Sequence, residues 1–136
     1  MDAIVLRGRT VTLRLLSLAD ATALAMAASE SRDQYVYTRV PDGAASAQRT
    51  RCNTEAKHLL LSHAFDVWQV HRVSLKTDER NARSRRAIER LGAMFEGVRR
   101  GDMPGQDGTV RSSAYYSIMR AEWPAVRKTL DDALGR

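Results

Sequence analysis

Two stretches of this chain combine a helix start with a density of anion-seeking side chains. The first is Gln48-Arg49-Thr50-Arg51-Cys52-Asn53-Thr54-Glu55-Ala56-Lys57, at the entry to an amphipathic run. Free backbone N–H groups at a helix start, backed by the helix dipole, make an anion site suited to a pyrophosphate. Arg49 and Arg51 add formal charge there. The second is Lys76-Thr77-Asp78-Glu79-Arg80-Asn81-Ala82-Arg83-Ser84-Arg85-Arg86-Ala87-Ile88-Glu89-Arg90-Leu91-Gly92. A strand ends within it, and a helix opens with Asn81, Ser84 and Arg85 grouped in one turn. Such a group can hydrogen-bond a phosphate, with bidentate options for the arginine. Each stretch also has a plain structural explanation, in which Asn53, Thr54 or Asn81 is an N-cap and the arginines are solvated charge. Two such starts flanking one strand are harder to explain that way than either alone.

The elements that must position these residues follow from periodicity. Val11, Leu13 and Leu15 alternate with polar neighbours as in a half-buried strand. Ser17-Leu18-Ala19-Asp20 resembles a capping box opening a helix to about residue 29. Residues 33–40 are ambiguous and are read as a short helix or turn ending before Pro41, and residues 42–47 have linker composition. A helix is expected over about 53–67, with Ala56, Leu59, Leu60, Ala64 and Val67 inward and Glu55, His58, Ser62 and Asp66 outward. Residues 70–77 read as a strand with Val73 and Leu75 on one side. Residues 81–91 read as a helix stopped by Gly92. Strands at 94–100 and 109–119 flank the turn-rich Pro104–Gly108, and a last helix starts near Glu122 with Pro124 in its first turn. Helices alternating with strands point to an α/β chain, a mixed sheet flanked by helices.

Composition narrows the function classes. A length of 136 residues suits one domain, expected here as an N-terminal part at 1–41, a linker at 42–47 and an anion-binding half at 48–136. The net charge is +6, and between Arg72 and Arg100 nine basic residues stand against four acidic ones. Nucleic acid is an unfavoured partner, because Phe95 is the lone aromatic in that basic stretch. The sequence contains no apolar run near the ~20 residues that cross a bilayer. Its first residues lack the pattern of a signal peptide, so a cytoplasmic protein is expected. With Cys52 the sole cysteine, no disulfide can form within the chain.

The joint pattern Asn81-x-x-Ser84-x-x-x-Ile88-Glu89-x-Leu91-Gly92 followed by Glu96-Gly97-x-x-Arg100 resembles the signature of GNAT acetyltransferases of the RimJ/RimL type. The segment from Arg49 to Phe65 is similar to that group's pyrophosphate loop and following helix. Leu6 to Leu16, Asp107 to Arg111, Tyr115 to Ile118 and Glu122 to Pro124 also resemble it. The resemblance covers residues 4–30 and 48–130. It implies a GNAT fold that binds acetyl-CoA and transfers the acetyl group to a primary amine, on a protein N-terminus or a small molecule, by direct attack. Residue by residue, it implies that Arg49, Thr50, Arg51, Cys52, Asn53 and Thr54 hold the CoA pyrophosphate through their backbone. Asn81, Ser84 and Arg85 would meet the pantetheine arm and phosphates. Direct attack needs no covalent intermediate, so Cys52 is expected as a small loop residue and not a nucleophile.

Three departures stand out. Ile88 occupies the neighbourhood where many relatives carry a tyrosine general acid, leaving Tyr115 and Tyr116 as candidates to protonate the thiolate. Packing explains both tyrosines more simply. Arg51 and Asn53 stand where glycine or a small residue is usual. The fold also places three strands ahead of the pyrophosphate loop, and these need about 20–25 residues where residues 42–47 offer a short linker. The central strands are therefore expected to be missing, which would leave a strand edge open to homo-oligomer formation. An inactive CoA-binding or interaction module of the same fold is the alternative function.

Overall fold

The computed structural model describes residues 4–21, 51–105 and 108–136. Its elements are β1 (Leu6–Arg7), β2 (Thr12–Leu13), a 3-10 turn (Leu18–Asp20), α1 (Arg51–Ser62) with a π-helical extension (His63–Val67), β3 (Arg72–Asp78), α2 (Ala82–Glu89), β4 (Met94–Pro104), β5 (Val110–Met119) and α3 (Trp123–Leu134). β1 and β2 form a small antiparallel hairpin. The other strands form a sheet in the order β3-β5-β4, with both pairings antiparallel. Among the described residues no strand lies between β2 and β3. The expected elements at 33–40 and 42–47, and nearly all of the helix expected to reach residue 29, lie outside the described residues, as do Arg49 and Thr50.

β5 is the central strand, and its alternation organises the domain. Ala114, Tyr116 and Ile118 are wholly buried and join Leu61, Phe65, Ile88, Leu91, Ala93, Trp123, Val126 and Leu130 in one core. Val73 and Leu75 of β3 pack against the same core, as their spacing predicts. Phe65 stacks on Trp123 at 5.3 Å between ring centroids, tying α1 to α3. The opposite face of β5 carries Ser113, Tyr115 and Ser117. There Ser117 donates to Glu96 at 2.7 Å, and Lys76, Tyr115 and Asp102 cluster. α3 starts where expected, with proline in its first turn. α2 ends in a turn whose Gly92 has φ 87°.

The helix expected over 53–67 forms, but it is turned relative to the expected face. Glu55, His58, Leu61 and Phe65 are the buried positions, whereas Leu60 and Val67 are exposed. Two causes account for this. Leu61 and Phe65 form an apolar stripe of their own, and the inward Glu55 carboxylate finds partners. The Glu55 carboxylate accepts from the backbone N–H groups of Arg9 (2.8 Å), Thr10 (2.6 Å) and Val11 (3.0 Å), from the Thr10 hydroxyl (2.6 Å) and from the Arg136 guanidinium. His58 Nε2 lies 2.9 Å from Asp131 Oδ1 of α3. Gly8 is required beside that carboxylate, because a Cβ there would stand 2.5 Å from Glu55 Cδ. Two strand predictions also shift. The alternation at 11–15 pairs only at Thr12–Leu13, and β4 runs past Arg100 to Pro104 through two register shifts that follow Phe95 and Arg99.

Candidate functional site

Connection lengths decide where the two helix starts lie. A helix of twelve residues rises about 18 Å and seven strand residues span about 23 Å. The π-helical turn adds to the former, and only Trp68–His71 separates it from β3. With Leu61, Phe65, Val73 and Leu75 all in one core, α1 and β3 run antiparallel. The N-terminal end of α1 therefore faces the C-terminal end of β3, where α2 begins. In open α/β arrangements this end of the strands is where ligands bind.

The turn from β3 into α2 is rigidly built. Asp78 is wholly buried and accepts from Arg80 through its backbone N–H (2.9 Å), Nε (3.1 Å) and Nη2 (2.9 Å), with Arg111 Nε at 3.6 Å. Burial opposes its ionisation, but the Arg80 hydrogen bonds and the two guanidinium charges outweigh that, holding the carboxyl below the usual carboxylate range. Arg80 Nη1 also donates to the Thr109 hydroxyl at 3.2 Å, joining this turn to the start of β5. Backbone bonds close the turn: Asn81 N–H to the Asp78 carbonyl (3.0 Å) and Ala82 N–H to the Arg80 carbonyl (2.9 Å). Sequence reasoning left Asp78 unassigned. A carboxylate followed two residues on by arginine at a strand end is a weak signal, and the second cation comes from Arg111 on another strand.

Asn81 is the N-cap of α2, its Oδ1 accepting from Ser84 N–H at 2.9 Å. That is the structural role expected of this residue type, and it fixes the first turn of the helix. Arg85 sits one turn on. Its Nε donates to the Tyr116 hydroxyl at 3.0 Å and its Nη1 reaches the Glu79 carbonyl at 3.4 Å. Its guanidinium carbon is 5.4 Å from the centre of the Phe95 ring. Arg86 is exposed. Of the first stretch, Arg51 to Thr54 form the first described turn of α1, with Asn53 and Thr54 half-buried. Lys57, one turn further, is pushed below the usual lysine range by burial and by the charge of Arg90.

The two tyrosines differ sharply. Tyr116 is wholly buried, and its hydroxyl donates to Glu89 Oε1 at 2.8 Å while accepting from Arg85. Burial pushes its phenol above the usual range. Tyr115 faces the other side of the sheet and lines a shallow depression of about 420 Å³ with Glu96, Gly97, Val98 and Arg99. Its hydroxyl is 3.3 Å from Asp102 Oδ2, and Lys76 Nζ lies 5.7 Å from its ring centre. Asp102 is held below the usual carboxylate range by hydrogen bonds from Ser113 and Lys76. No group of His, Cys, Asp and Glu among the described residues is arranged to hold a metal ion.

This chain superposes on a GCN5-related N-acetyltransferase from Brucella melitensis with a TM-score of 0.82, covering 98% of this chain and 86% of that one at 21% identity. The fold is that of the GNAT acetyltransferases. Residues 43–94 match the family model of the acetyltransferase (GNAT) domain. A T. thermophilus protein assigned as an acetyltransferase is 46% identical over 63% of this chain, with a TM-score of 0.61. RimJ of Mycobacterium smegmatis, solved with CoA-disulfide, is 26% identical over 69% of the chain, with a TM-score of 0.58. This chain spans just under half the length of those two relatives, 46% and 44%. A search of curated proteins finds no match. The GNAT match takes in the start of α1, all of β3 and all of α2, the elements on which both anion-seeking stretches stand.

Proposed function

We propose that this chain binds acetyl-CoA at the C-terminal end of β3 and serves an N-acetyltransferase reaction, in which a primary amine attacks the thioester directly. The observation that carries the reading is the convergence of the α1 and α2 N-terminal ends at that point on a GNAT fold. Helix dipoles favour the phosphates, and Arg83, Arg85 and Arg86 raise the local potential further. Backbone amides over residues 49–54 are assigned to the pyrophosphate, and Asn81, Ser84 and Arg85 to the pantetheine arm and phosphates. The acceptor is a primary amine, on a protein N-terminus or a small molecule, with the reaction carried out in the cytoplasm.

Of the two tyrosines, Tyr115 is the better candidate to protonate the departing thiolate. Both hydroxyls donate to a carboxylate, Tyr116 to Glu89 and Tyr115 to Asp102, but Tyr116 is enclosed whereas Tyr115 borders an open depression. Catalysis in this scheme is chiefly positioning of amine against thioester, where small errors cost orders of magnitude in rate. No described helix is long and apolar enough to cross a membrane. The test is calorimetric titration with CoA and dephospho-CoA on folded protein. Saturable heat with CoA is expected, and its absence with both ligands would overturn the reading.

A further inference from the structure

Arg85, assigned above to the cofactor, is not a free surface arginine. Its Nε is spent on the Tyr116 hydroxyl, and one Nη1 hydrogen is directed at the Glu79 carbonyl. A guanidinium carries five N–H donors in a fixed fork, so these two bonds settle the plane of the whole group. The remaining donors are then held in that same plane. Tyr116 itself cannot swing. Its ring is wholly buried in the core, 5.2 Å from the Phe95 ring centre, and its hydroxyl proton goes to Glu89 Oε1 at 2.8 Å. That donation leaves the phenol oxygen's lone pairs facing Arg85 Nε. Glu89 lies one helical turn beyond Arg85, so Arg85, Tyr116 and Glu89 form a chain with both ends on α2 and its middle in β5.

From this geometry we infer that Tyr116 is a positioning residue for CoA binding, acting through Arg85. A flexible arginine loses side-chain freedom when it grips a phosphate, and a guanidinium already held in plane loses less. The Tyr116 hydroxyl supplies that hold. The buried tyrosine is thus set apart from catalysis but coupled to cofactor affinity. The inference rests on the assignment of Arg85 to the cofactor, and two readouts keep the two apart.

The first readout needs no ligand. The Arg85 Nε–H resonance in the ¹⁵N-labelled protein is expected to exchange slowly, and Tyr116→Phe, which keeps the ring, is expected to speed its exchange to that of the exposed arginines. Unchanged exchange would overturn the clamp. The second is a double-mutant cycle on CoA affinity, read by calorimetry. Tyr116→Phe is expected to weaken CoA about three- to tenfold, and to add almost nothing in an Arg85→Ala background. Losses that multiply, or no loss in Tyr116→Phe, would overturn the coupling. A wild-type chain that is folded yet ignores CoA would overturn the coupling together with the functional reading, and the exchange measurement would still decide the clamp. Should Tyr116→Phe fail to fold, Glu89→Ala at the exposed end of the chain takes its place. A partial speeding of Arg85 exchange is then expected, and none would count against the clamp.

Discussion

Asn81 is the residue at which capping and ligand binding can be separated. Its Oδ1 satisfies Ser84 N–H at 2.9 Å. Asn81→Ala leaves that donor without its side-chain partner, at a cost of about 1 kcal/mol. For a chain of this size that corresponds to a fall in Tm of about 3–5 °C. Asn81→Asp keeps an equally good cap and adds a negative charge that the helix N-terminus favours, so Tm should hold within about 1 °C of wild type. The same charge, however, would stand beside the phosphates of the proposed cofactor. Two like charges 4 Å apart repel by about 1 kcal/mol even in bulk water, and by more near a protein surface. CoA affinity of Asn81→Asp should therefore drop about five- to tenfold or more. Asn81→Ser, a cap without charge, should stay near wild type in stability and lose less affinity. Thermal unfolding and calorimetric titration on the three variants give the answer together. Wild-type CoA affinity in Asn81→Asp would refute the placing of phosphates at this turn, and an unchanged Tm in Asn81→Ala would refute the capping argument.

Arg85 and Arg86 point about 100° apart on α2, so Arg85→Ala is expected to weaken CoA by about 1–3 kcal/mol and Arg86→Ala by less; equal losses in titration would mean that general charge attracts the cofactor. Glu55, held down to about 2 from 4.5 by hydrogen bonds from Thr10 against the pull of burial, contributes stability that is fully present above about pH 4.5 and is lost as pH falls toward 2. The Tm difference between wild type and Glu55→Gln should follow that course from pH 6 down to 2, and a difference independent of pH would contradict it. Supplied with acetyl-CoA and a panel of amines, including N-terminal peptides and polyamines, the 136-residue chain is expected to release little thiol, because amine placement in this fold draws on central strands and none lies between β2 and β3 among the described residues; robust turnover would show that the chemistry needs fewer elements.

The parts of this molecule legible in its sequence are those decided within a few residues. Asn81 caps α2 because an amide side chain three residues before a backbone N–H can reach it, and Gly92 ends the same helix because the turn needs φ 87°. Pro124 marks the start of α3, and the alternation of Val73 with Leu75 puts both against the core. Short-range rules sufficed for each. What escaped depends on partners far along the chain. Glu55 reads as a wet residue on any helical wheel, and its burial is tolerable because the turn between β1 and β2, some 45 positions away, turns three N–H groups and the Thr10 hydroxyl toward it, with the Arg136 guanidinium arriving from the other end of the chain. The same inversion pushed Leu60 and Val67 outward.

The candidate site divides along the same line, and the division bears on what it can do. The residue types proposed to attract an anion are local to two helix starts, where spacing makes them legible. Their orientation is tertiary. Arg80 is committed to Asp78 and Thr109, and Arg85 to Tyr116, so the arginines at this turn are not equivalent cations. Asp78, buried beneath the turn with Arg111 arriving from β5, fixes the point at which α2 begins. Charge alone would draw any polyphosphate to this end of the sheet with little discrimination. In the proposed reading, a fixed fork on Arg85 and a capped first turn on Asn81 would turn that attraction into a demand for particular phosphate positions. A cofactor that carries a pyrophosphate and a further phosphate at a set separation can meet that demand, and inorganic pyrophosphate cannot meet all of it. Competition of CoA against dephospho-CoA and pyrophosphate should therefore rank the three in that order, and equal competition per charge would mean that the orienting bonds play no part in selection.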